Sequence, residues 1–253
     1  MFRVVVPARH DSARLPGKVL LRLAGKSMLH WVCERALASR AEEVLVATDD
    51  ERIARAAEAL GVQVVMTSVA HPSGTDRIAE VAWQRRWKDE DVVVNLQADE
   101  PLMPPALLDQ ASELLAAHSW ALIATLASPL ASLAELTDPS VVKVVVGRRS
   151  QALYFSRAPV PWDRDGAPSG LASQRSFAGA RRHIGLYAYR VGALKQLASL
   201  APSPLEQREK LEQLRALENG LPIVVADAMQ PPGPDVNTAQ DLEAVSALLE
   251  EHR

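Results

Sequence analysis

The chain is poor in groups that would staple or anchor it. A single cysteine, Cys33, stands among 253 residues, so neither a disulfide framework nor a cysteine-rich zinc site can form. No apolar run approaches the roughly 18 residues of a membrane-spanning helix. The opening MFRVVVPARH has only a very short apolar run and no small-residue cleavage site; it does not read as a signal peptide, and a cytoplasmic location is expected. Formal charge is −3, so bulk attraction to nucleic acid or to an anionic membrane is not indicated. There is no GxGxxG, which weakens a dinucleotide-dependent oxidoreductase, and no HExxH. The six histidines are scattered. LAGKSML contains Gly25-Lys26-Ser27, but Leu20 stands where a P-loop needs glycine.

What remains is an ordinary globular composition, 48% apolar and 23% charged, with a core large enough to need no staples. Short β-branched runs (3–7, 43–48, 61–67, 91–97) read as buried strands. Segments 27–40, 50–60 and 75–87 carry apolar residues at helical spacing between them. This alternation predicts a parallel sheet with helices on both faces, and such sheets bind ligands beyond the carboxyl ends of their strands. Further on, 104–118, 203–220 and 238–252 read as helices, the last capped by Asn237 or Thr238. Segments 121–127, 141–147, 151–162, 183–190 and 221–227 read as strands. Residues 163–180 are rich in Gly, Ser, Ala and Pro without periodicity and read as a mobile loop. No repeats and no clear linker are present. The expected fold is a single three-layer α/β/α domain, mostly parallel, with a β-rich inserted subregion.

Three motifs carry chemistry. VVVPARHDSARLPGKVL leaves a buried strand and then gathers Arg9, Arg14 and Lys18 around Pro7, Pro16 and Gly17. The bland reading is a solvated basic connection. Bidentate arginines, a lysine point charge and nearby backbone N–H groups are also the ingredients of a polyphosphate cradle. HPSGTDR (71–77) follows the third strand, with Ser73 or Thr75 as helix cap and Gly74 allowing close approach of a ligand. Alone it is an ordinary N-cap. VVVNLQADEP ends a strand in Asp99-Glu100, a carboxylate position that suits Mg²⁺ or, alone, a solvated acidic turn. All three lie at ends of successive strands and are expected to converge. Together they match a nucleoside triphosphate with its metal.

With PARHDSARLPGK, ATDDERI, HPSGTDR, NLQADEP, VVKVV, ALYFSRAPVPWDRD, RRHIGLYAYR and LEQLRALENG, from about Val4 to Leu242, the chain resembles the 3-deoxy-manno-octulosonate (Kdo) cytidylyltransferases. The first motif is shared by many nucleotide-activating sugar transferases; YFSRAPVPW, RHIGLYAYR and LEQLR are much narrower. The resemblance implies a homodimeric nucleotidyltransferase of CTP and Kdo using Mg²⁺, with no nucleic acid partner and no membrane insertion, in lipopolysaccharide biosynthesis. It implies a nucleotide-binding part at about 1–120, a sugar-binding and dimerisation part at about 121–225, and a terminal metal motif and helix at about 226–253. It places Arg9, Arg14 and Lys18 on the CTP phosphates, and Ser73, Gly74, Asp76 and Gln97 at the nucleotide. Asp99 and Asn237 fall to the metal, with Arg14, Lys18 and Asp99 as the catalytic set. Arg157, His183, Tyr187, Glu212 and Gln213 are expected to line the sugar-acid site.

The bland readings of the sugar residues are half-buried strand residues for His183 and Tyr187, a solvated helix face for Glu212 and Gln213, and a surface arginine for Arg157. Two departures stand out. Ala98 replaces the family's glycine, a substitution that costs stability if the position needs a positive φ. Asn237 replaces an aspartate, leaving one charge fewer for the metal, with Asp235 nearby. These departures leave room for other readings: the same chemistry on an amino-substituted Kdo or a sialic-type acid, or a non-catalytic nucleotide-binding protein.

Overall fold

The computed structural model describes residues 1–11, 15–167 and 169–251. The chain runs β1 (Arg3–Ala8), a small hairpin of β2 (Arg22–Leu23) and β3 (Lys26–Ser27), α1 (Met28–Leu37), β4 (Glu43–Thr48), α2 (Glu51–Glu58), β5 (Gln63–Met66), α3 (Gly74–Gln84) and β6 (Val92–Asn95). There follow α4 (Pro105–Ala117), β7 (Ile123–Pro129), α5 (Leu133–Thr137), β8 (Lys143–Val146), β9 (Ala152–Ser156) and β10 (Arg181–Arg190). The last elements are α6 (Val191–Ser199), α7 (Pro204–Glu209), α8 (Gln213–Glu218), β11 (Ile223–Asp227) and α9 (Ala239–Glu251).

The sheet order is β11-β7-β10-β6-β1-β4-β5. β1 pairs in parallel with β4 and β6, and β5 extends β4 in parallel. β10 is inserted antiparallel between β6 and β7, and the β8–β9 hairpin hangs from its start. That hairpin is the expected β-rich insertion. Val4, Val5 and Val6 are wholly buried because both faces are covered. Leu29, Ile53 and Leu107 of α1, α2 and α4 pack one face; Ile78, Leu194 and Leu214 of α3, α6 and α8 pack the other. The three-layer expectation therefore holds.

Three local features differ from the sequence reading. The 203–220 helix is two helices, because Lys210 closes α7 with a left-handed backbone (φ 54°). Buried Arg215 then clamps them with a two-pronged pair to Glu206, at 2.8 and 2.6 Å. In the Gly25-Lys26-Ser27 stretch, Gly25 forms the β2–β3 turn with Ala24, both at positive φ, and Lys26 and Ser27 are β3 itself, the geometry of a tight hairpin. Segment 163–180 contains a single helical turn at Leu171–Ser173.

Candidate active site

The carboxyl ends of β1 and β6 and the start of α3 enclose a cavity of about 340 Å³. Arg9, Lys18, Ser73, Gly74, Gln97, Asp99, Glu212 and Asn237 all line it. The convergence expected of the three motifs is therefore present in the fold. Arg14 lies outside the described residues.

The basic loop is closed on itself. Gly17 donates its N–H to the His10 carbonyl at 2.9 Å. Its φ of 67° suits glycine, and a Cβ there would meet the His10 ring at 3.0 Å. Lys18 follows, and its ammonium donates to Asp99 Oδ2 at 2.6 Å and to the Val236 carbonyl at 3.1 Å. Val236 in turn donates its N–H to the Asp99 carbonyl at 2.9 Å. This latch holds the 235–237 segment against the turn after β6 and brings Asn237 to the cavity that Asp99 lines. The Asn237 amide bonds Asp235, and its backbone N–H donates to Asp241 at 2.9 Å. Asp241 also accepts from the Thr238 N–H at 2.7 Å and donates its own N–H to the Thr238 hydroxyl at 3.2 Å. Thr238 is thus the cap of α9. Ala98 is not among the residues with positive φ, so its departure from glycine carries no backbone strain.

Ser73 caps α3, accepting the Asp76 N–H at 3.2 Å and donating to the Asp76 carboxylate at 2.7 Å. A Cβ on Gly74 would come within 3.1 Å of Pro7, so glycine sets the closeness of this wall. Asp76 is turned towards Ser73 and lies 3.9 Å from Arg215; it does not line the cavity. Arg77, which motif reading passed over, does line it. Only 3% exposed, Arg77 is held by Thr67 and by Asp49 at 3.3 Å.

The expected sugar residues are divided. Glu212 lines the main cavity and accepts the Thr75 hydroxyl at 2.6 Å; burial raises its carboxyl above the usual range. His183 lines a neighbouring cavity of about 190 Å³ together with Glu100, Arg182 and Asp235. Burial, reinforced by Asp99 and Asp235, pushes Glu100 up to about 8. The His183 ring packs on Phe155 and Tyr187, at 5.0 and 5.3 Å between centroids, and burial pushes it down to about 3, so it stays neutral. The Thr125 hydroxyl lies 2.8 Å from the Leu186 carbonyl and 3.1 Å from His183 Nε2. The Ile184 carbonyl, at 3.1 Å, is a further acceptor for the same hydroxyl. Tyr187 and Gln213 are buried, and the Tyr187 hydroxyl and Gln213 Nε2 have no partner. Arg157 joins neither cavity. Its guanidinium donates to the carbonyls of Glu209 at 2.7 Å and Pro139 at 2.8 Å, and its N–H to the Glu209 carboxylate at 2.9 Å.

Among the described residues no group of three or more His, Cys, Asp or Glu is set to hold a metal ion. Asp99 and Asn237 nevertheless offer hard oxygen donors to one cavity. That suits a Mg²⁺ ion carried in on phosphates, which takes one or two protein ligands and keeps its waters. The Lys18 ammonium now pairs with the carboxylate such an ion would use.

Residues 3–223 match the cytidylyltransferase family model. A protein of Thioalkalivibrio sulfidiphilus named 3-deoxy-manno-octulosonate cytidylyltransferase is 53% identical over 98% of both chains. The protein of the same name from Pseudomonas fluorescens is 50% identical, also over 98% of each. A solved CMP:2-keto-3-deoxy-manno-octonic acid synthetase complexed with CTP superposes with a TM-score of 0.89 at 40% identity, covering both chains fully. A 4-diphosphocytidyl-2C-methyl-D-erythritol synthase shares the fold, with a TM-score of 0.63 at 13% identity, over 98% of this chain and 99% of its own.

Proposed function

Because the chain belongs to the cytidylyltransferase family, we infer that it is the enzyme that transfers CMP from CTP to the anomeric hydroxyl of Kdo, releasing pyrophosphate. The observation that carries this reading is a near-full-length likeness to the 3-deoxy-manno-octulosonate enzymes, joined to a cavity where Arg9, Lys18, Asp99 and Asn237 meet.

In this reading Arg9 and Lys18, with Arg14 from the same loop, hold the triphosphate. Ser73, Gly74 and Gln97 lie along the nucleotide. Charge develops on the departing pyrophosphate, and cations fixed beforehand stabilise it without reorganising. Asp99 and Asn237 would hold Mg²⁺, which when bound neutralises phosphate charge and lowers the pKa of the attacking hydroxyl. With the triphosphate bound, Lys18 would exchange the Asp99 carboxylate for a phosphate. Asp99 therefore has one partner before substrate and another after. Nucleotidyl transfer of this kind is largely positioning and charge stabilisation.

On the sugar side, Glu212 borders the nucleotide cavity and suits a hydroxyl donor. Tyr187 and Gln213 are buried with hydrogen-bonding capacity unspent. His183, kept neutral by burial, offers one ring nitrogen as an acceptor. Arg157 serves as a positioning residue, tying the end of β9 to α7. Asp76 acts likewise, through the Ser73 cap. Because CTP is a cytoplasmic nucleotide, the reaction belongs in the cytoplasm, and its product supplies lipopolysaccharide biosynthesis. A homodimer would form through the second half, where among the described residues β9 pairs only with β8 and leaves Leu153 exposed.

Incubation with CTP, Kdo and Mg²⁺, followed by phosphorus NMR, tests the reading. A CMP phosphodiester and pyrophosphate in equal amounts are expected. Hydrolysis of CTP to CMP without a sugar ester, or no reaction, contradicts it.

A further inference from the structure

HPSGTDR holds two residues able to cap α3, and Ser73 takes the cap. Thr75, the second residue of α3, is only 7% exposed. A helical threonine commonly donates its hydroxyl to the backbone of its own helix. Here the single proton goes to Oε2 of Glu212, 137 residues away in sequence, at 2.6 Å. Glu212 is unusual in a matching way. It stands at the N-cap of α8, where a side chain ordinarily accepts from the first N–H groups of its own helix, yet it makes no such bond. Its carboxylate crosses instead to the first turn of α3, the positive end of that helix.

The contact lies at a seam of the site. Ser73 and Gly74 of the same α3 turn line the main cavity, and so does Glu212. With Asp99 it is one of two carboxylates on that wall. Beside it, Arg215 of α8 lies 3.9 Å from Asp76 of α3, so α8 is moored to α3 at two adjacent positions. Burial raises the Glu212 carboxyl above its usual range. The Thr75 bond opposes that rise, Asp76 adds to it, and Arg215 and the Ser73 hydroxyl oppose it. Tyr187 and Tyr189 of β10, held uncharged by burial, lie within its field. Thr75 therefore does two things: it fixes where the carboxylate sits, and it favours the ionised form.

We propose that Thr75 is a positioning residue of the transfer reaction, holding the Glu212 carboxylate at the cavity wall, so that one hydrogen bond sets the first turn of α3 and the acceptor side of the site against each other. This rests on the reading of the chain as a sugar-acid cytidylyltransferase. Thr75 itself does not line the cavity; it acts through Glu212, which does. A carboxylate fixed in advance meets an acceptor hydroxyl with no further loss of side-chain freedom on binding. Valine has the same shape as threonine and would leave that carboxylate without its donor.

The test compares wild type, Thr75→Val and Thr75→Ser by pyrophosphate release from CTP with Kdo across a range of pH. Thr75→Val should lower kcat/KM for Kdo about tenfold or more and leave the KM for CTP within about twofold. The acid limb of its pH profile should move to higher pH, because the carboxylate has lost a bond that favoured its charged form. Thr75→Ser keeps the hydroxyl and should restore both values towards wild type. If valine prevents folding, Thr75→Ala removes the same hydroxyl with less bulk and should show the same losses. Equal losses in the serine and valine variants would show a packing role and overturn the proposal. So would an unmoved acid limb, or a raised KM for CTP with kcat/KM for Kdo unchanged. Absence of wild-type turnover with any sugar acid would overturn the functional reading itself, and this proposal with it.

Discussion

In the proposed reading, the two halves of the site would meet their ligands in opposite ways. On the β1–β6 side a charged pair is already made: Lys18 holds Asp99 at 2.6 Å, and a bound triphosphate would exchange those partners. On the β10 side Tyr187 and Gln213 are uncharged and buried, and the Tyr187 hydroxyl and Gln213 Nε2 have no partner. The difference fits the chemistry of what each side is proposed to receive. A triphosphate brings its own charge and counter-ion, so the protein needs mobile charges that can be exchanged. A sugar brings hydroxyls, which reward fixed donors and acceptors in a dry place. His183 and Tyr187 illustrate the second strategy: burial keeps both uncharged.

The contrast can be attacked from either side. The largest effect belongs to Asp99→Ala, which should fold normally and lose turnover by about three orders of magnitude or more. Pyrophosphate release at saturating substrates measures it. Turnover within tenfold of wild type would remove Asp99 from the charged set.

Arg157→Ala sharpens the comparison at the other end. Its guanidinium bonds backbone carbonyls of Pro139 and Glu209, so its removal should cost stability, about 1.5–3 kcal/mol for bonds from a charged donor. Urea unfolding reads this directly. Full stability with a raised KM for the sugar acid would instead return Arg157 to direct ligand contact.

His183→Gln is read in the pH dependence of stability, and near neutral pH its effect is the smallest. The unfolded chain takes up the histidine proton near pH 6.5, the folded chain only near about 3. The neutral ring thus contributes stability that is full above pH 6.5 and is lost as pH falls from 6.5 towards 3. With glutamine, the melting temperature should fall less over that window. Parallel curves would mean the ring is more exposed than its packing implies.

The same division governs what could be read from the amino acids. The nucleotide side is built from local signals: a β-branched strand, a Gly-closed basic loop, a Ser73 cap, an acidic turn. Each lies within about ten residues, and parallel strand order brings them together. The sugar side depends on long-range pairing. Nothing in HIGLYAYR announces that it inserts antiparallel between β6 and β7. No glycine or proline marks the break at Lys210 that makes Glu212 the cap of a new helix. Arg157 acts on backbone carbonyls, which leave no trace in a motif. The concern over Ala98 dissolved because its backbone is not left-handed.

The central claim is that one side takes a nucleotide triphosphate and the other a sugar acid. A matrix of pyrophosphate-release rates, four nucleoside triphosphates against a panel of sugar acids with Mg²⁺, tests it most directly. A single dominant cell, CTP with Kdo, is the expected result. Equal rates across the sugar acids, or release from CTP that is indifferent to any sugar, would contradict it.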